Sequence, residues 1–171
     1  MDSRTRDEIV ELYGAFFRGV YAYCAYRLYR SDLAEDAVAA VFLRLVEKYE
    51  TVRDRGRDGI RKWLYGTASN VAAKHLREAR KQKLIAEALR QDATGWRHDE
   101  RPTEFGLEWP AVYRALGELA AVDQALVALR YFSGLESPEI AEILGMTAGA
   151  VRVRLLRAIR ALRQKLGVGN D

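Results

Sequence analysis

The sequence contains few of the residues on which disulfide frameworks, metal sites and catalytic centres are built. Its 171 residues include one cysteine, Cys24, and two histidines, His75 and His98. A single cysteine excludes an internal disulfide framework and fits a reducing compartment. Neither a phosphate-binding glycine loop nor a cluster with metal-ligand spacing is present. The sequence therefore predicts no catalytic residues, no metal, no cofactor and no enzymatic activity.

Long apolar runs are also absent. No segment approaches the roughly 20 apolar residues that a membrane span requires. The N-terminal segment MDSRTRDEIVELY lacks the apolar core of a signal peptide. We therefore expect a cytoplasmic protein without membrane insertion. The formal net charge of +4 is too small to identify a partner by itself, so the distribution of the charges matters more than their sum.

Apolar residues recur at steps of three and four along most of the chain, which is the pattern of helices with one buried side. The first predicted helix has such a stripe at Ile9, Tyr13, Phe16, Val20, Cys24 and Leu28. A second helix is predicted to begin at Asp32 as its N-cap, with Glu35 in capping-box spacing. Its stripe consists of Leu33, Ala37, Val41 and Leu45. After the charged break TVRDRGRD at 51–58, a third helix is predicted from about Ile60 to about Lys83.

The segment 93–110 has no sustained period and contains two glycines and two prolines, so it is predicted to be a flexible linker. Helical patterning resumes at Ala111 and continues to Leu166. The fold class is thus predicted to be all-α, with small helical domains at 1–92 and 111–171.

The C-terminal domain contains a pattern typical of a helix-turn-helix. Ser137 is predicted to cap its first helix, Gly145 to allow a tight turn, and Thr147 to cap the second helix. At 100° per residue, the inner side of the second helix carries Val151, Leu155, Ala158 and Leu162. The outer side carries Arg152, Val153, Leu156, Arg157 and Arg160. A charge run is often only a solvated face, but the preceding turn favours a recognition helix that binds duplex DNA.

A second basic tract lies in the third predicted helix and includes Lys62. Trp63, Asn70, Lys74 and Arg77 fall on one of its faces. An aromatic ring beside cations can stack on an unpaired base while the cations bind the backbone of the strand. A single tryptophan on a helix is also a common packing residue, and both interpretations remain open for Trp63.

These segments resemble the extracytoplasmic-function class of bacterial sigma factors. The segments LAEDAVAAVFLRLVEKY and IRKWLYGTASNVAAKHLREARK resemble the family's region 2. The segment ALGELAAVDQALVALRYFSGLESPEIAEILGMTAGAVRVRLLRAIRALRQKL resembles its region 4. The resemblance implies a factor that directs core RNA polymerase to specific promoters, with region 4 on the duplex minus-thirty-five element and region 2 on the minus-ten element and its opened strand.

The resemblance also assigns roles to individual residues. Those implied to bind the upstream element are Thr147, Arg152, Val153, Leu156, Arg157 and Arg160. Those implied to bind the minus-ten element are Lys62, Trp63, Asn70, Lys74 and Arg77. Asp36, Arg44 and Glu47 are implied to bind the polymerase, whose expected contacts are the beta-prime clamp helices and the beta flap. An anti-sigma factor is a further expected partner.

The second helix departs from the family pattern. Ala39 and Ala40 stand where the family commonly has a glutamine and an acid, which predicts weaker binding of the polymerase. This difference leaves open an alternative: a helix-turn-helix transcriptional regulator that binds duplex DNA and does not act as a sigma subunit.

Overall fold

The computed structural model describes residues 2–89 and 109–168, with side chains described for 2–80 and 111–168. Every regular element in these residues is helical, which confirms the all-α class. The elements are α1 (Ser3–Leu28), α2 (Ser31–Val52), a 3₁₀ turn (Arg53–Arg55), α3 (Gly56–Leu89), α4 (Trp109–Gly117), α5 (Ala121–Val127), a π-helical segment (Ala128–Phe132), α6 (Ser137–Leu144) and α7 (Ala148–Leu166). The predicted linker lies mostly outside the described residues, and the domain boundaries stay a prediction.

Helices α1, α2 and α3 pack together as a three-helix bundle, here called the N-terminal unit. Val20, Leu45 and Leu64 are fully buried in it. The predicted stripe of α2 is confirmed at Ala37, Val41 and Leu45, which are inaccessible to solvent. The stripe of α1 was wrong at Tyr13, which is 45% exposed because the helix turns this position towards a surface groove beside Phe42.

The beginning of α2 differs from the prediction. Its N-cap is Arg30 in an extended conformation, and Ser31 is already helical, so Asp32 lies inside the first turn. The Asp32 carboxylate accepts a hydrogen bond from Arg30 Nε at 3.0 Å and does not cap the helix. This interaction lowers the pKa of Asp32 below its usual value. The negative charge still stabilises the helix, because it lies near the positive end of the helix dipole.

The third helix is longer than predicted, since α3 begins at Gly56 and ends at Leu89. Gly56 has a φ of 67°, a left-handed conformation that glycine adopts without steric cost, and it joins the 3₁₀ turn to α3. The predicted charged break is therefore confirmed but covers only three residues between two helices.

Helices α4 to α7 and the π-helical segment form the C-terminal unit. Its buried centre includes Leu126, Leu129 and Ile140. The N-cap of α6 is Glu136, and Ser137 is the first helical residue, so the prediction of Ser137 as the cap was wrong. The reason is the position of Glu139, whose carboxylate accepts the backbone N–H of Glu136 at 2.8 Å. This capping-box bond fixes the N-cap three residues before Glu139, at Glu136.

The two units pack against each other through aromatic rings from the end of α1. The Tyr26 ring stacks on Phe132 with ring centroids 3.6 Å apart. Tyr29, which ends α1 with a left-handed φ of 56°, packs edge-on against Tyr113 at 5.3 Å. A left-handed φ is unusual for a bulky residue, so the surrounding packing must hold it in place. One continuous set of buried side chains therefore extends from the N-terminal to the C-terminal unit.

Candidate nucleic-acid interface

Helix α7 is oriented by the turn that precedes it. Gly145 ends α6 with a φ of 65°, as the sequence predicted, and its N–H bonds the carbonyl of Ala141. The Thr147 hydroxyl accepts the N–H of Ala150 at 3.1 Å, which confirms Thr147 as the N-cap of α7. The four residues predicted to face inward, Val151, Leu155, Ala158 and Leu162, are all buried. The opposite side of α7 therefore faces solvent in a fixed orientation.

This outer side of α7 is the recognition face, defined by Arg152, Val153, Leu156, Arg157 and Arg160, and all five residues are exposed. In the described part of the chain, no carboxylate forms an ion pair with any of its three arginines. Val153 is 49% exposed and Leu156 is 53% exposed. Unpaired cations on both sides of two exposed apolar side chains can bind phosphates while the apolar groups contact base edges.

Two other cations of α7 have structural roles instead. Arg154 forms an ion pair with Asp123 of α5, with an Nε to Oδ1 distance of 2.9 Å. Lys165 forms an ion pair with Glu118 near the end of α4. Both pairs attach α7 to its own unit. Fewer cations of α7 are therefore available to a ligand than a count of its arginines and lysines indicates.

A second candidate surface is the cleft beside α3, which has a volume of about 560 Å³. Its α3 wall contains Lys62, Trp63 and Asn70. Trp63 is half-buried and packs against the core, so it serves as a packing residue and also presents part of its ring to the cleft. Packing is therefore shown for Trp63, and its stacking on an unpaired base stays a prediction.

Beyond Trp63 the predicted minus-ten residues continue along α3, with Asn70 at the cleft and Lys74 and Arg77 outside it. Asn70, Lys74 and Arg77 are exposed, in the order that the helical projection predicted. Among the described residues, Lys74 forms a single, long ion pair of 3.8 Å, with Glu78 on the same exposed helix face. Such a pair contributes little, so Lys74 remains available to a phosphate.

The opposite wall of the cleft comes from α6 of the C-terminal unit, at Glu142 and Ile143. Lys62 Nζ donates a hydrogen bond to Glu142 Oε2 at 2.7 Å, which raises the pKa of the Lys62 ammonium. Next to it, Arg61 donates to Glu139 Oε1 at 3.2 Å. Sequence reasoning missed both contacts because each joins residues about 80 positions apart, in helices whose docking no local pattern indicates.

The residues implied to bind the polymerase lie on the outer surface of α2, where Asp36, Arg44 and Glu47 are all exposed. Leu43 and Val46 on the same helix are 59% and 44% exposed. Sequence reasoning missed these two apolar residues, although their place outside the buried stripe was a usable signal. The surface of α2 therefore combines scattered charges with exposed apolar groups.

An apolar groove of about 220 Å³ runs along the junction of α1 and α2. Tyr13, Phe17 and Tyr21 line it from α1, and their four-residue spacing was the signal that sequence reasoning missed. Ala39 and Phe42 line it from α2. Ala39 contributes only a methyl group to the wall of this groove.

No group of three or more His, Cys, Asp or Glu side chains among the described residues is arranged to hold a metal ion. None of the helices described is both long enough and apolar enough to cross a membrane.

Sequence comparisons match both units to one family. The profile described as sigma-70 region 2 matches residues 12–82, and the profile described as sigma-70 region 4 matches residues 110–162. The chain is 33% identical over 140 residues to the ECF RNA polymerase sigma factor SigL of Mycobacterium tuberculosis, covering 79% of this chain and 77% of SigL. It is 34% identical over 160 residues to SigD of the same species, covering 89% of this chain and 74% of SigD.

A longer relative matches nearly the whole chain. The ECF sigma factor BldN of Streptomyces coelicolor is 30% identical over 161 residues, which cover 94% of this chain but only 61% of the length of BldN.

The fold is similar to solved sigma factor structures at lower identity. RpoE of Bartonella quintana, solved in complex with the anti-sigma factor NepR, matches with a TM-score of 0.72 and 19% identity, covering 99% of this chain and 100% of RpoE. CnrH, solved with the cytosolic domain of CnrY, matches with a TM-score of 0.69 and 18% identity, covering 96% of this chain and 91% of CnrH. With two sigma-70 regions in order and relatives above 30% identity across most of their length, the chain belongs to the ECF sigma factors.

Proposed function

We propose that this chain directs core RNA polymerase to specific promoters as a sigma subunit and has no catalytic activity of its own. The observation that carries the proposal is the presence of two different nucleic-acid surfaces on one chain. The recognition face of α7 combines cations with apolar side chains, as readout of a closed duplex requires. The α3 surface combines a partly exposed tryptophan with amide and cationic groups, which suits an opened strand.

In this proposal the recognition face binds the minus-thirty-five element, with Thr147 orienting the helix and Arg160 near phosphates. The minus-ten element and its opened strand bind Lys62, Trp63, Asn70, Lys74 and Arg77. The N-terminal domain extends over 1–92 and the C-terminal domain over 111–171, joined by the linker 93–110. Because its ligand is promoter DNA held by RNA polymerase, the chain acts in the cytoplasm in this proposal.

Core polymerase binds the exposed surface of α2 in this proposal. Asp36, Arg44 and Glu47 contact the beta-prime clamp helices, and the C-terminal unit contacts the beta flap. Leu43 and Val46 supply apolar area that compensates in part for the absence of polar groups at Ala39 and Ala40. An anti-sigma factor is the further partner we propose, because RpoE was solved with one.

One observation favours a second candidate, a regulator that binds duplex DNA without acting as a sigma subunit. Ala39 is exposed and Ala40 is half-buried against the core, so neither can replace the polar contacts that the family commonly makes there. Run-off transcription with purified core polymerase and a promoter library separates the two candidates. A sigma subunit yields promoter-specific transcripts when added to core, whereas a regulator yields none without another sigma factor.

The two apolar side chains of the recognition face predict how the upstream element is read. Val153 and Leu156 are expected to contact thymine methyl groups in the major groove. Replacing each thymine of the selected upstream element by uracil, which lacks that methyl group, should weaken binding about fourfold at a contacted position, since one buried methyl group contributes about 0.8 kcal/mol.

The matched variants for this prediction are Val153→Asn and Leu156→Gln, which replace the exposed apolar side chains with polar ones. At each contacted position, the variant that lacks the contacting side chain should bind the thymine and the uracil duplex equally. Equal binding of both duplexes by the original chain at every position would show that these side chains do not read methyl groups and would favour a protein partner for them.

A further inference from the structure

The contact between α3 and α6 joins two surfaces of opposite charge across the two units. The beginning of α3 contributes Arg61 and Lys62, and one side of α6 contributes Glu139 and Glu142. The Arg61–Glu139 pair is sheltered, with side chains 30% and 24% exposed. Glu142 is 62% exposed, and its one ion pair among the described residues is with Lys62. The acidic side of α6 thus lies directly on a basic surface of the N-terminal unit.

Part of that basic surface belongs to the proposed minus-ten site. Lys62 would neutralise a phosphate of the opened strand, yet in this structure its ammonium binds the Glu142 carboxylate. Glu142 and Ile143 line the same cleft as Trp63 and Asn70. A strand whose phosphate binds Lys62 would have to displace the Glu142 carboxylate, so the strand and α6 compete for Lys62.

The remainder of the interface combines aromatic contacts, which hold the units together, with a buried arginine, which is unfavourable. The aromatic contacts of Tyr26 and Tyr29 with Phe132 and Tyr113 bury apolar area between the units. Arg27, in contrast, is only 2% exposed and donates to the neutral amide oxygen of Gln124 at 2.9 Å. Its Nε has no hydrogen-bond partner among the described residues.

A buried guanidinium without a carboxylate is costly. Gln124 belongs to α5, so separation of the units removes it from Arg27. The docked arrangement is therefore held by apolar contacts, opposed by a buried charge, and positioned by ion pairs that can be exchanged for phosphates.

We propose that α6 acts as an internal competitor of the opened promoter strand, with Glu142 taking the place of a phosphate on Lys62. In the free chain the C-terminal unit docks on the N-terminal unit and occupies Lys62 at one end of the minus-ten site. The units separate before the strand is captured. The recognition face of α7 stays exposed in the docked form, so duplex binding and strand capture are separately controlled. This inference rests on the proposed function for its strand-binding part only.

The test uses the full-length chain with Glu142→Lys, which reverses the charge facing Lys62. Its matched control is Glu118→Lys, which makes the same charge change in an ion pair within the C-terminal unit. Docking is read by energy transfer between dyes on Lys48→Cys and Arg163→Cys, two exposed positions in different units. Strand capture is read by fluorescence anisotropy of a single-stranded oligonucleotide carrying the minus-ten non-template sequence.

The proposal predicts lower energy transfer for Glu142→Lys and affinity for the oligonucleotide about three- to fivefold above that of Glu118→Lys, as the loss of one exposed ion pair allows. The exchanged pair Lys62→Glu with Glu142→Lys should restore energy transfer.

Unchanged energy transfer in Glu142→Lys would overturn the docking contact. Lower transfer with the same oligonucleotide affinity as Glu118→Lys would overturn the competition. If no variant binds the oligonucleotide at all, the proposed function and the competition fail together, while energy transfer still reports whether the docking contact is correct.

Discussion

Replacing both Arg152 and Arg157 with alanine is expected to weaken binding of the full chain to its duplex upstream element by about 30-fold or more. Each cationic contact to DNA contributes about 1–3 kcal/mol, and both side chains are exposed on the recognition face without an ion pair among the described residues. The dependence of log K on log salt should also become shallower by about two units, because each phosphate contact contributes about 0.9 to that slope.

A matched control separates this effect from the loss of net charge. Arg6 and Arg18 are exposed on α1, far from α7 in sequence, and their double alanine variant loses the same charge. Filter binding or anisotropy over a salt series measures the slope of log K against log salt. For this control, the slope should stay close to that of the original chain. A slope unchanged in the Arg152 and Arg157 variant would remove the recognition face from duplex binding.

Replacing Leu64 with alanine is expected to lower the free energy of unfolding by about 2–5 kcal/mol. Leu64 lies in α3 and is completely buried in the N-terminal bundle. Its removal leaves a cavity that helices packed on all sides cannot fully close. Since domains of this size are stable by only about 5–15 kcal/mol, urea denaturation followed by circular dichroism should show a clear shift of the midpoint.

The control for this variant is Leu43→Ala, which deletes the same atoms from a side chain that is 59% exposed. It should change the free energy of unfolding by no more than about 0.5 kcal/mol. Equal destabilisation by the two substitutions would mean that the packing of α3 in the bundle is not as described.

The two faces of α7 could be predicted from sequence because a helix repeats every 3.6 residues and burial follows that period. All four residues predicted to face inward are buried, and all five predicted to face outward are exposed. The same reasoning located the turn at Gly145 and the cap at Thr147, since both depend on local backbone geometry.

Helix starts were predicted less well where a neighbouring side chain binds the capping carboxylate or the backbone N–H at the start of the helix. Asp32 was expected to cap α2, but Arg30 binds its carboxylate instead. For α6 the usable signal was Glu139, because a capping box places the N-cap three residues before the acid, at Glu136.

The docking of the two units could not be predicted from local patterns. It depends on contacts such as Arg27 with Gln124 and Lys62 with Glu142, which join residues distant in sequence. The helical period places Lys62 on a surface but does not say which other surface meets it.

In the function proposed above, one chain binds closed duplex through α7 and an opened strand through α3. The most direct measurement is permanganate reactivity of unpaired thymines in the promoter, with core polymerase and either the original chain or Asn70→Ala with Lys74→Ala. Both replaced side chains are exposed, and the one ion pair of Lys74 in the described part of the chain is long, so the fold should be retained. Recruitment to fully duplex promoter should be nearly unchanged.

We predict that permanganate reactivity falls by about tenfold or more in this variant, since two contacts to the opened strand are lost at about 1–3 kcal/mol each. A template with a pre-opened bubble should restore transcription only in part, because capture of the free strand is also impaired. Equal permanganate reactivity with the original chain and the variant would mean that this face of α3 does not bind the opened strand.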